Sequence, residues 1–183
     1  MNGFGRPNRD EHEDRYRKYI DLVPDGDIFQ TLIHQLGETL SLFQEILPSK
    51  EMYRYQPDKW SIRGVAGHLI DIERVLAHQT LSIARSEDVV LPGIDHNEWG
   101  DNSNADQRSL EDLAAEWAVL RRSTVHMIST LSPDSGGRSG VAGGAGFTVR
   151  CFPWIIAGHE LWHRGLLKRD YSVGGSGTPS DRL

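Results

Sequence analysis

Trp154-Ile155-Ile156-Ala157-Gly158-His159-Glu160-Leu161-Trp162-His163 is the stretch on which the reading of this chain turns. Its pattern is helical. The helix opens near Pro153, a residue tolerated in a first turn, and runs through Ile155, His159, Trp162 and Leu166 to about Lys168. Side chains four positions apart in a helix share a face, so His159 and His163 stack on one side, with Ile155, Trp162 and Leu166 predicting that side to be the interior. Two imidazoles on a buried face each need a partner for a polar nitrogen, and a single metal ion serves both. His68, far upstream among Val65, Leu69 and Ile72, offers a third ring from another helical segment. Three protein ligands with one position left open is the pattern of a catalytic zinc-type site rather than a closed structural one.

Working outward, three more helical segments accompany this one. The first spans about Asp27 to Leu47, with Phe29, Leu32, Leu36, Leu40 and Phe43 at three- and four-residue steps and Pro48 as its stop. The second begins at Ser61, a good N-cap, and follows Val65, Leu69, Ile72, Leu76 and Ile83 to about Arg85. The third starts at Ser109, with Asp112 completing a near capping box, and continues through Leu113, Trp117, Leu120, Thr124 and Ile128 to Leu131. No run of strands is convincing, so the expectation is an all-α, four-helix bundle. A long stretch, Ser86 to Arg108, separates the second and third helices, and a loop holding Gly136, Gly137, Gly140, Gly143, Gly144 and Gly146 precedes the fourth. Loops of that length are commonly functional, and both are candidates for a pocket rim.

The chain of 183 residues suits one domain, expected over 19–171, between a polar N-terminal segment 1–18 and a tail 172–183 that both read as flexible. A net charge of −6 disfavours a phosphate-backbone binder, so no nucleic-acid partner is expected. No window reaches the roughly 18 apolar residues of a membrane span, and residues 1–18 lack the apolar core of a signal peptide. A cytoplasmic protein with no membrane partner is the expectation. The single cysteine, Cys151, cannot form an internal disulfide, and its neighbours Phe152, Trp154 and Ile155 suggest a packed, inert thiol.

Four further histidines read as surface residues. His12 lies in the polar N-terminal segment and reads as solvated; His34 and His126 lie opposite their apolar stripes, and His78 on a polar flank. His159-Glu160-Leu161-Trp162-His163 also spells His-Glu-x-x-His, the zincin protease signature, in which the glutamate is the general base. The metzincin extension would place glycine at Leu166 and histidine at Arg169, and no glutamate follows the helix to serve as a downstream ligand. The protease reading is therefore weak.

Three runs together resemble a known family. They are Asp58-Lys59-Trp60-Ser61-Ile62-Arg63-Gly64-Val65-Ala66-Gly67-His68-Leu69-Ile70-Asp71, the loop Pro92-Gly93-Ile94-Asp95-His96-Asn97-Glu98-Trp99, and the stretch from Trp154 to His163. Their order and spacing are similar to those of the DinB/YfiT-like superfamily, over about Tyr19 to Tyr171. The resemblance implies an antiparallel four-helix bundle with one long crossover and a divalent metal, zinc or nickel most commonly, held by His68, His159 and His163. It implies a small-molecule substrate and, as the leading expectation, transfer of a low-molecular-weight thiol to an electrophile, with metal-dependent hydrolysis or a non-catalytic metal- or ligand-binding protein as the alternatives. Glu160 or Asp71 would orient a ligand imidazole or accept a proton, or else be rim carboxylates. Trp99, His96 and Asp95 would line the pocket mouth, Trp99 reading first as a hydrophobic anchor for its loop. A homodimer is expected.

Overall fold

The computed structural model describes residues 4–174. Four long helices correspond to the four periodic segments: α2 (Ile28–Gln44), α3 (Ile62–Arg85), α5 (Leu110–Ser129) and α6 (Cys151–Arg169). Each of the first three starts where a side chain satisfies free backbone N–H groups. Asp27 accepts from Phe29 and Gln30, Ser61 from Gly64, and Ser109 from Asp112. Two short helices add to them, α1 (Asp14–Ile20) and α4 (His96–Asn102), the latter capped by the Asp95 carboxylate.

The fold is not strictly all-α. A three-stranded sheet runs in the order β1 (Val90–Leu91), β2 (Ser139–Ala142), β3 (Ala145–Thr148), with β1 parallel to β2 and β2 antiparallel to β3. The glycine-rich stretch read as a loop is thus a hairpin. Ala142 pairs with Ala145 across a two-residue turn, Gly143 at φ +58 and Gly144 at φ +77. Positive φ at both turn positions matches the right-handed twist of the flanking strands and is accessible to glycine without a Cβ clash.

Helix α3 packs on α5 and α6, and α2 packs on the same two, so α2 and α3 take opposite corners of the bundle. The long stretch from Ser86 to Arg108 consequently does not cross the bundle. It joins neighbours, α3 and α5, and carries β1 and α4 on the way. One core cluster, including Leu32, Ile83, Phe152 and Ile156, lies toward the sheet; the other, including Val65, Leu113, Trp117 and Leu167, fills the opposite end.

The N-terminal segment, read as flexible over 1–18, is instead built into the fold from Phe4 onward. Phe4 is 3% exposed and stacks edge-on against Phe29, and α1 lies along α6. Arg6 fixes this chain entry: it donates to the carbonyls of Ile20 and Val23, pairs with Asp25, and lies 4.4 Å over the Trp154 ring. His12, read as solvated, is buried, with Nδ1 3.0 Å from the Glu13 carbonyl. Of the expected tail 172–183, residues from 175 onward lie outside the described part. No helix among the described residues is long and apolar enough to cross a membrane.

Candidate metal centre

Helices α3 and α6 are neighbours, and their contact brings the three predicted histidines together. The ring of His68 has its centroid 5.0 Å from that of His159 and 4.8 Å from that of His163, and the last two are 4.5 Å apart. One ring nitrogen from each lies within 4.8 Å of the other two, and Nε2 of His68 is 3.1 Å from Nε2 of His159. Two imidazole nitrogens bound at about 2.0–2.1 Å to one tetrahedral ion would stand roughly 3.3 Å apart, so this pair is already close to ligand spacing.

Burial keeps the rings in the form that ligates a metal. Burial pushes the His68 ring down to about 3 and that of His163 to about 4, and it holds His159 well below the usual imidazole value, with neighbouring positive charge adding to each shift. All three rings are therefore neutral at physiological pH, which is the state that binds a metal. Nδ1 of His163 is buried with no hydrogen-bond partner. Three neutral imidazoles, each presenting one ring nitrogen within reach of the other two, form a donor set that fits a divalent ion.

The rings are held by aromatic neighbours rather than by carboxylates. Trp60 lies 4.6 Å from His68, tilted by 37°, and Tyr19 meets both His159 and Trp162 edge-on. Tyr19 reaches this position because its carbonyl sits directly on Gly158, where an added Cβ would come within 2.0 Å of that oxygen. The rings stand at the base of a cavity of about 500 Å³, within the range of small-molecule sites. Its walls combine apolar residues, Ile72, Leu76 and Ile155, with Trp60, Tyr19 and Trp162. Trp162, read as interior, is 42% exposed at this rim. The hairpin tip and the preceding loop contribute Gly143 and Gly93.

The other candidate residues divide. His96 lines the cavity, its ring centroid 5.9 Å from that of His68, whereas Trp99 is not among the lining residues and is 42% exposed. Asp71 lies outside the cavity and faces Arg74 at 3.7 Å. Glu160 is 1% exposed on another side of α6, where it accepts from Thr39 at 2.5 Å and from Arg121 at 2.6 Å. Arg121 also bonds Glu73, forming a buried Glu73–Arg121–Glu160 chain. Neither expected catalytic carboxylate lines this cavity; Glu160 borders only a separate void of about 10 Å³ that His159 also borders, and it is engaged there in the buried ion pair with Arg121. Tyr19, Trp60 and the cations of α1 escape a reading of the sequence alone, since they reach the cavity only through tertiary packing.

Fold and site together define a helical-bundle protein with a three-histidine cluster at the floor of a small-molecule-sized cavity. The chain belongs to the DinB superfamily, whose family model matches residues 10–167. Among solved structures it is similar to YfiT from Bacillus subtilis, with a TM-score of 0.67 at 14% identity over 94% of this chain and 99% of that one. YfiT is described as a probable metal-dependent hydrolase with an unusual four-helix bundle topology. A comparison with curated protein sequences finds no match.

Proposed function

We propose that this chain is a divalent-metal-dependent hydrolase of a small molecule, with His68, His159 and His163 as the metal ligands. The observation that carries the reading is the convergence of three neutral imidazoles, from two helices, at the floor of an open cavity. When bound, a divalent ion keeping its full charge among neutral ligands supplies Lewis acidity and brings the pKa of a coordinated water toward neutrality. The chain's own residues supply the setting. Trp60 and Tyr19 fix the ring planes, while Ile72, Leu76 and Ile155 wall the site with apolar surface. No Asp or Glu lines the cavity among the described residues, so His96, across from His68, is the ring available to relay a proton.

Support for hydrolysis also comes from the fold shared with YfiT. The second reading, transfer of a low-molecular-weight thiol, draws on the cavity's size: about 500 Å³ has room for a thiol beside an electrophile. A metal-held thiol would then replace water as the nucleophile. The native ion, zinc or nickel, and a homodimeric assembly belong to the same proposal.

The test is a paired assay on protein purified without a histidine tag and loaded with zinc or nickel. Cleavage of 4-nitrophenyl acetate is measured without thiol, and loss of chlorodinitrobenzene with one. Ester cleavage abolished both by chelation and by His159→Ala supports hydrolysis. Turnover appearing only with thiol selects the second reading. Activity indifferent to chelator and to His159→Ala defeats both.

A further inference from the structure

The cavity carries a charge opposite to that of the whole molecule. The chain's net charge is −6, yet among the described residues the charged side chains lining the cavity are Arg15 and Lys18, one turn apart on α1. Arg15 is largely engaged, paired with Glu13 at 3.2 Å and donating to the Gly143 carbonyl of the hairpin tip. Lys18 differs. The ion pairs on either side of it, Arg15–Glu13 and Arg17–Asp21, leave it out. Its Nζ sits instead 4.8 Å from the Tyr19 ring centre and 4.9 Å from that of Trp162. Two aromatic faces hold the ammonium in place but do not neutralise it, so its charge remains available to a ligand.

Position sharpens the point. Tyr19 is 5.5 Å from His159, centre to centre, so the Lys18 ammonium is within about 10 Å of the histidine cluster. A small molecule could reach from one to the other inside the same cavity. We infer that the site takes an anionic substrate: the reacting group lies at the histidines, and a carboxylate several bonds away is fixed by the Lys18 ammonium. The inference rests on the metal-centre reading and adds the substrate's charge and span to it. Recognition comes from a rim cation set among apolar and aromatic walls, with no acidic side chain in the lining to repel a carboxylate.

Binding decides it, with glutarate as the probe and glutaramide as its uncharged counterpart of similar size. Zinc-loaded protein is titrated by calorimetry and by the fluorescence of its tryptophans, of which Trp60 and Trp162 line the cavity. Glutarate should bind about tenfold more tightly than glutaramide. Lys18→Met should remove most of that preference, and Lys18→Arg should keep it. The same titrations on His159→Ala show whether the preference needs the metal. Equal affinity for the two probes overturns the inference, and so does a preference unchanged in Lys18→Met, which carboxylate binding to the metal alone would explain. The hydrolysis reading fails separately. A protein that prefers glutarate through Lys18 but cleaves no neutral ester keeps its anion site and loses its proposed reaction.

Discussion

His159 and Glu160 are neighbours in sequence and face different chemistry, because successive helical residues point about 100° apart. His159 joins the ring cluster, while Glu160 turns into the core to pair with Arg121. A glutamate serving as general base would lose on the order of 10²–10⁴ in rate as the amide. Here Glu160→Gln should instead change turnover of the metal-loaded protein by less than about tenfold and lower its melting temperature; a rate loss of a hundredfold at unchanged stability would restore the catalytic role. Gly158, on the other side of His159, is sensitive for a steric reason. A methyl group there would overlap the Tyr19 carbonyl, so Gly158→Ala must push α1 off α6. Overpacking of this kind typically destabilises by about 1–3 kcal/mol. It should also release the Tyr19 ring from His159, which weakens metal retention measured by chelator competition. At the neighbouring Gly165 an added Cβ would meet nothing within 4 Å, and its alanine variant is the matched control.

At the scale of elements, the β2–β3 hairpin provides the clearest test of what glycine does. Gly144→Ala introduces a Cβ at positive φ but into open space, whereas Gly143→Ala adds the same strain and also brings the methyl to 3.2 Å from Gly93 Cα. The first should cost about 1 kcal/mol of stability, the second more, and only the second should alter ligand binding at the rim. Chemical denaturation of both variants beside probe titration separates the two effects. The hairpin also shows where sequence legibility ends. Helices α2, α3 and α5 announce themselves through long apolar stripes and good caps, α6 through its apolar residues alone, and the packing of α3 on α6 is enough to bring the histidine triad into one cluster. Strands of two to four residues, the hairpin pair built largely from glycine and alanine, carry no alternation to read. Helix α1 is seven residues of mostly charged sequence with one buried side chain, Ile20, so its stability comes from docking on α6 rather than from its own pattern. Lys18 and Tyr19 ride on that element, which is why their part of the cavity wall is invisible to periodicity. The carboxylates mislead for the opposite reason. Nearness in sequence to the histidines is what recommends them, and helical phase sends them elsewhere.

For the whole molecule, the buried polar groups make stability depend on pH in a definite direction. Arg121 is 1% exposed between Glu73 and Glu160, so Arg121→Met would strand two carboxylates in the core, where breaking one partner from a buried pair costs about 3–5 kcal/mol. That variant should be markedly less stable near neutral pH and recover part of the loss on acidification, as Glu160, already raised by burial, takes up a proton. The metal-free wild-type protein should do the reverse. His68, His159 and His163 titrate near 6.5 when unfolded and far lower when folded, with His68 at about 3 and His163 at about 4. Between those limits the unfolded chain binds more protons than the folded one, so stability must fall as pH drops from about 6.5. His96, also lowered by burial, adds in the same sense. Carboxylates held low by ion pairs, such as Glu38 and Glu116, contribute only below their ordinary value of 4.5, whereas Glu160 and Asp71, raised by burial, bind protons more readily in the folded state and oppose part of the histidine effect, so the comparison with a histidine variant isolates it. Urea midpoints of the metal-free protein should therefore decline from pH 6.5 to 4.5, and those of a His68→Asn, His163→Asn double variant should decline much less. Zinc should raise the midpoint at pH 7 and by a similar margin down to pH 5, because the folded rings stay neutral until the pH nears 4 and protons do not compete for their nitrogens above it. A midpoint flat from pH 7 to 5 without metal would mean that the rings are not buried as neutral bases, and the centre would lose its electrostatic basis.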